Sequence, residues 1–439
     1  MTYNVYKEVI KSNVNPAMGC TEPISVAYAT SALKKYIDNI SDIENLNIQV
    51  NGELYKNAIG VYIPNSQGEK GLEIAAALGI IGGNYEGKLE VLKDITASDI
   101  EKAKEMVKKR IVNIAINKEE KELFIEANAH LKNGENVSST IRNTHTNLIN
   151  IISRDKEIPL YNIQYDETVN DQNYYEEILK NSSINELIEM AKAIDENDIE
   201  YIKKGIEMNL AMANKEVEYK GVGASLDALT KKGLLTDDII GKIKILTTRA
   251  TDARMSGINM PVMSSGGSGN QGIISILVPY LYGKNVPLEI TGESIDERII
   301  YESIAFSHLL NSYVKCFTGK LSAMCGCAVA AGLGATGAIA YQRTDRNIET
   351  ITNAINNLIS DIAGILCDGA KLGCANKINT AVECSIVSAL KAIEGYHVTS
   401  NDGIIGKTAE ESIKNLGKIT KIGMSKMNNS VLTIMDEKI

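Results

Sequence analysis

"NLNIQVNGEL", residues 45–54, decides the fold. Apolar and polar residues alternate from Leu46 to Val50, the period of a half-buried strand. Asn51 and Gly52 then punctuate it. Upstream the pattern is helical. Residues 2–12 read as a short helix, and Asn15-Pro16 breaks it. A second helix runs to Tyr36, with Thr21 as its N-cap and Glu22 and Pro23 in its first turn. Downstream, "NAIGVYIPN" (57–65), "KLEVLKDI" (88–95), "RIVNIAINKEEKELFIEANAHL" (110–131) and "SSTIRNTHTNLINIISR" (138–154) repeat the β-branched alternation. Two helical stretches interrupt them, "EKGLEIAAALGIIGG" (69–83) and "SDIEKAKEMVKKRI" (98–111). From about residue 172 apolar residues recur at three- and four-residue spacing, as in "SINELIEMAKAI" (183–194). The expected architecture is a mainly α-helical domain of residues 1–38 and 165–439, carrying the functional site. A small α/β (α+β) domain over 40–160 is inserted after the first long helix.

The chain has 439 residues, enough for two cores, with 44% hydrophobic and 23% charged residues, so it is globular. A net charge of −9 without a long basic run argues against a nucleic-acid surface. The N-terminal residues lack an apolar signal region, and seven cysteines is an odd number. Both point to a reducing cytoplasm, with the cysteines as ligands, nucleophiles or core residues. Two uncharged segments, 255–283 and 321–342, are long enough to span a bilayer. The first is rich in Ser, Gly, Asn and Gln and the second in Ala and Gly, so they are expected as buried helices packed through small residues, with no membrane partner.

Six of the seven cysteines lie between 316 and 384, in the Gly-rich contexts "MCGCAVAAGLGATG" and "GILCDGAKLGCANK". No pair of Cys-x-x-Cys knuckles marks a structural zinc site. On a helix Cys325 and Cys327 would point about 200° apart. Cys367 and Cys374 would lie about 10 Å apart along a straight helix, but Gly369 and Gly373 permit a loop that brings them together. A helix starting at Cys327 would aim a third thiolate and a positive helix end at the same place. Three cysteines, Cys327, Cys367 and Cys374, suit a [4Fe–4S] cluster with one iron left open. "SSGGSGNQG" (264–272) reads as a nest of backbone N–H groups for a small anion such as a carboxylate, with Ser264, Ser265, Ser268, Asn270 and Gln271 as its polar side chains. "GLGATG" (332–337) lacks the strand and acidic residue of a dinucleotide site and reads as helix packing. The four histidines show no metal spacing, and no lysine stands in a context that marks it for pyridoxal phosphate.

"GCTEP" (19–23), "SSGGSGNQG", "CGCAVAAGLGATGAI" (325–339) and "CDGAKLGC" (367–374) together give the chain its resemblance. It resembles a bacterial branch of the L-cysteine desulfidase family and, more distantly, the iron–sulfur L-serine dehydratases, along essentially the whole chain. The resemblance implies a pyridoxal-independent lyase acting on a small amino acid, breaking L-cysteine into pyruvate, ammonia and sulfide. By position it implies Cys327, Cys367 and Cys374 as cluster ligands and Cys20 as proton acceptor. The inserted domain resembles the smaller domain of the serine dehydratases. Two departures from the dehydratases stand out: a shorter 367–374 loop, and "GCTEP" where they carry Ser-His-Thr. Cys20 ahead of a helix N-terminus is expected to have a depressed thiol pKa. L-serine dehydratase is the rival enzymatic reading, and a non-catalytic iron–sulfur sensor the rival of another class. Oligomeric state stays open, a homodimer included.

Overall fold

The computed structural model describes residues 4–154, 156–158, 168–217, 220–291 and 294–438. The N-terminal part runs α1 (Val5–Asn13), β1 (Pro16–Met18), α2 (Thr21–Leu33), β2 (Ile43–Asn51), α3 (Gly52–Ala58), α4 (Leu72–Gly82) and α5 (Ala97–Lys108). Strands β3 (Val112–Asn117), β4 (Phe124–Leu131), β5 (Asn136–Arg142), β6 (Leu148–Ser153) and β7 (Lys156–Glu157) follow. The remainder is helical apart from β8 (Pro261–Met263). Ahead of it lie α6 (Thr168–Asn181), α7 (Ile184–Lys192), α8 (Glu196–Ala213), α9 (Val222–Lys231) and α10 (Ile239–Met255). After it come α11 (Gly269–Thr291), α12 (Glu297–Thr318), α13 (Ala330–Arg343), α14 (Ile348–Ile362), α15 (Cys374–Ile393), α16 (Ala409–Lys418) and α17 (Met427–Asp436).

Six strands form one sheet in the order β3-β2-β4-β5-β6-β7. Strands β2 and β3 are parallel, joined through α3–α5, and the other neighbours are antiparallel. Leu46, Ile48 and Val50 of the opening motif face a core shared with α2 and α4. Two segments with strand-like alternation are not strands. Val61 and Ile63 are buried in a link with a single bridge, Tyr62 to Lys70. Residues 85–90 form a tight 3₁₀ turn, while Val91, Leu92 and Ile95 sink into the core. Both edges of β2 are already occupied, so these segments alternate for burial without a partner edge.

The helical part buries its own core, built from α1 and the helices after residue 174. Helix α2, counted with that part from sequence, instead contributes its apolar side chains to the sheet's core. A small third cluster, Cys20, Val61 and Met255, is flanked by Ala370, Leu372 and Cys374. The uncharged segments are helical in their second parts, as α11 from Gly269 and α13 from Ala330, and among the described residues no helix is long and apolar enough to cross a membrane.

Small residues set the spacing of α12 and α13. A Cβ at Gly334 would stand 2.7 Å from the Ser307 carbonyl oxygen, and one at Gly337 2.9 Å from Leu310 and Phe306. Gly334→Ala should therefore overpack this crossing and destabilise the fold by about 1–3 kcal/mol. Urea denaturation measures this, and an unchanged midpoint would show that the crossing tolerates a methyl group.

Candidate active site

The site begins with a pairing that ties together distant stretches of chain. Strands β1 and β8 run antiparallel, with Pro16 opposite Met263, Ala17 opposite Val262 and Met18 opposite Pro261. The Ser264 N–H donates to the Asn15 carbonyl at 2.9 Å, and the Asn15 N–H donates to Ser264 Oγ at 2.9 Å. Cys20 and the Ser264–Gly272 segment thereby border one cavity of about 1850 Å³, which the cysteine loops also line.

A second pairing joins the cysteine loops. Cys325 N–H donates to Ile365 O at 2.8 Å, Cys367 N–H to Ala323 O at 2.7 Å, and Met324 bridges Leu366. This short ladder sets Cys325 opposite Ile365 and Cys367 opposite Ala323, and so ties the two cysteine loops together. Gly369, at φ +91°, turns the chain so tightly against the Lys56 carbonyl that no side chain fits there. Cys374 then opens α15. The expected helix start at Cys327 is corrected: residues 326–329 are turns, and α13 starts at Ala330. The helix end that meets the cysteines is that of α15.

Cys325, set aside from sequence because an i, i+2 pair diverges on a helix, is central here because it lies in a loop. Its thiol is pushed well above the usual range, first by a hydrogen bond with Cys327 and then by burial. Burial likewise raises Cys367, and it raises Cys374 to about 11; Cys325 adds to both. Cys327 lies 3.8 Å from Ser268 Oγ. Cys316 also borders the cavity, but its thiol donates to the Ser312 carbonyl within its own helix. Cys384 does not line it.

Cys20, and not Thr21, is the N-cap of α2, and its side chain makes no capping bond. The thiol instead donates to Glu22 Oε2 at 2.8 Å. Its pKa is corrected too: burial and then the Glu22 carboxylate raise it well above the usual thiol value, against the opposing pull of Arg254. Desolvation and a neighbouring anion outweigh the helix dipole. Glu22 itself is held below the usual carboxylate range. Burial works against ionisation, but His145, the Cys20 thiol and Asn57, whose Nδ2 donates at 3.0 Å, together prevail. Asn57 also reaches Cys367, 3.8 Å from its Oδ1.

The Ser264–Gly272 segment differs from the expected nest. The N–H groups of Ser264, Ser265, Gly267 and Ser268 all bond to backbone carbonyls. Ser264 Oγ is held between the Asn13 carbonyl and the Asn15 N–H, and Ser265 Oγ by His308 and Asn311 at 2.9 Å each. Ser265 does not line the cavity; Ser264, Ser268, Asn270 and Gln271 do. Gln271 Oε1 is buried with no hydrogen-bond partner among the described residues.

Sequence reading missed Glu22 as the thiol's partner, His145, Arg254 and Lys315. Lys315 donates to Gly266 O at 2.5 Å, and burial lowers its pKa to about 8 despite the nearby Cys327. Glu22 was readable two residues from Cys20. The other three stand in segments without a motif.

Of the six cysteines that border the cavity, the four in the two loops, Cys325, Cys327, Cys367 and Cys374, are the donor type that suits an iron–sulfur cluster. They suit a single ion less well: among the described residues no three of His, Cys, Asp and Glu come close enough to hold one. The sequence profile of the serine dehydratase alpha chain matches residues 86–433. The chain belongs to that family. The match takes in the Ser264–Gly272 segment and the two cysteine motifs at 325–339 and 367–374, and leaves Cys20 outside. Full-length relatives reach it. They include the UPF0597 protein of Elusimicrobium minutum, 40% identical over 439 residues, with 99% of this chain and 100% of the relative covered. The UPF0597 protein of Geobacter sulfurreducens is 39% identical over 439 residues, with 99% of each covered, and that of Clostridium tetani 39% over 431 residues, with 98% and 97% covered.

His308 holds Ser265 while buried and neutral, its pKa lowered by burial to about 3. The unfolded chain, with an ordinary histidine near 6.5, takes up a proton first as pH falls. Stability is therefore lost progressively below about pH 6.5, by about 2 kcal/mol at pH 5. Urea midpoints should fall from pH 7 to pH 5 in the native protein and fall less in His308→Gln. Equal slopes would contradict the assignment.

Proposed function

We infer that the protein is a pyridoxal-independent lyase that carries out α,β-elimination on L-cysteine, giving pyruvate, ammonia and sulfide. One observation carries the reading: the Cys20–Glu22 pair and the cysteines of two loops border a single cavity in a chain of the serine dehydratase family. L-serine is the second reading, favoured by the family's own description.

Cys327, Cys367 and Cys374 are the residues that would hold a [4Fe–4S] cluster, with Cys325 beside them. When bound, a cluster with one iron free of thiolate supplies a Lewis acid. The chain supplies the rest. Cys20 Sγ takes the substrate's Cα proton after its own proton passes to Glu22 Oε2. The freed electron pair forms the Cα=Cβ bond as the β-sulfur departs, and the aminoacrylate hydrolyses to pyruvate and ammonia. Ser268, Asn270 and Gln271 face the cavity and orient the polar groups of the substrate. Ser264 and Ser265 keep the segment's shape. Seven free thiols suit the reducing cytoplasm expected from sequence.

The protein purified without oxygen should be brown, carry about four irons per chain, and release pyruvate and sulfide from L-cysteine. Serine at Cys327, Cys367 or Cys374 should remove both colour and activity. One zinc per chain without iron would overturn the cluster. Full iron without turnover on cysteine or serine would favour a sensor. Cys20→Ala should keep the iron and lose about 10²-fold or more in turnover, the usual worth of a positioned base. Loss of iron in that variant would make Cys20 a ligand instead.

A further inference from the structure

We propose that Arg254 is the anchor for the substrate's α-carboxylate, beside Cys20 and over the N-terminus of α11. The proposal rests on the amino-acid-lyase reading and adds the group that selects an α-amino acid over an amine or amide.

Arg254 is 3% exposed and lines the cavity. A buried guanidinium keeps its charge at any physiological pH and normally stands against an acid. Its partners here are not acids: the Gly19 carbonyl at Nη2, and Asn270 Oδ1 at 3.0 Å and Met255 Sδ at 3.4 Å at Nη1. Nε has no partner among the described residues. Nη2 carries a second proton beyond the one given to Gly19. Nε and Nη2 form one edge of the guanidinium, the edge that grips a carboxylate through two parallel bonds.

The first residue of α11 packs directly on that edge, and only a glycine lets it come so close. A Cβ on Gly269 would crowd Nε directly and stand 2.7 Å from Cζ. Gly269 is also the first residue of α11, whose opening N–H groups favour an anion. Asn270 fixes the guanidinium from the far side. A carboxylate held there is next to Cys20, whose thiol feels the Arg254 charge, and so the Cα hydrogen is brought to the sulfur. The Ser264–Gly272 segment, its N–H groups largely occupied, is thus relieved of the anion-binding role expected of it and serves as the frame around the arginine.

The test compares binding with turnover. Isothermal titration of the iron-loaded protein with L-alanine, which has the carboxylate and no leaving group, is set against L-alaninamide. Arg254→Met should weaken L-alanine by about 10- to 100-fold, the range for a charge-assisted pair, and leave the amide within about twofold. Arg254→Lys should fall between. Gly269→Ala, which keeps the arginine and fills its free edge, should also weaken L-alanine selectively and decides the matter if Arg254→Met is poorly folded. Sulfide release from L-cysteine and L-cysteinamide should show the same selectivity in kcat/KM. Equal losses for acid and amide, or none for either, overturn the anchor while leaving the lyase reading intact. A native protein that binds no L-alanine and releases no sulfide overturns both.

Discussion

Everything at the site depends on a pairing of three residues with three. The paired residues of β1 and β8, Pro16 with Met263, Ala17 with Val262 and Met18 with Pro261, come from opposite ends of a long stretch of chain. The Asn15–Ser264 bonds continue the pairing into the loop, and together they fix Cys20 at one wall of the cavity and the first turn of α11 at the next. The ladder between residues 323–325 and 365–367 does the same for the cysteines. Two short antiparallel contacts therefore assemble residues from four regions of chain. Cys20, Val61 and Met255 form a small cluster of their own, separate from the two larger cores.

The electrostatics follow from burial. Helices α2, α11 and α15 all begin at the cavity, so their positive ends favour anions there. Burial leads for Cys20, Cys367 and Cys374, and a hydrogen bond with Cys327 followed by burial for Cys325, so these four thiols are all harder to ionise than a free cysteine. Glu22 moves the other way because His145, Cys20 and Asn57 surround it with compensating partners. The resting pair is a thiol hydrogen-bonded to a carboxylate, and Arg254 is the cation beside it.

How much of this could be read from the sequence follows from what makes a pattern. Strands β2 to β6 and helices α2, α4 and α5 are long enough to show period and were legible. The segments at 57–65 and 88–95 alternate as strands do, because burial alone produces alternation while pairing also needs a free edge. Strands of three residues have no period, so β1 and β8 were invisible. The cysteine motifs drew attention to two loops that border the cavity, yet a helix placed at Cys327 hid Cys325, whose loop conformation depends on a partner forty residues away. Arg254 belongs to an ordinary amphipathic helix. Only the fold shows that among the described residues it forms no ion pair with an acid.

The most direct test of a single shared site is substrate protection of Cys20. The iron-loaded protein is alkylated with iodoacetamide in the absence of oxygen, with and without L-alanine, and the modified cysteines are mapped by peptide mass spectrometry. The account predicts that L-alanine slows modification of Cys20 and leaves Cys384, outside the cavity, unchanged. Equal labelling of Cys20 with and without the amino acid would contradict it.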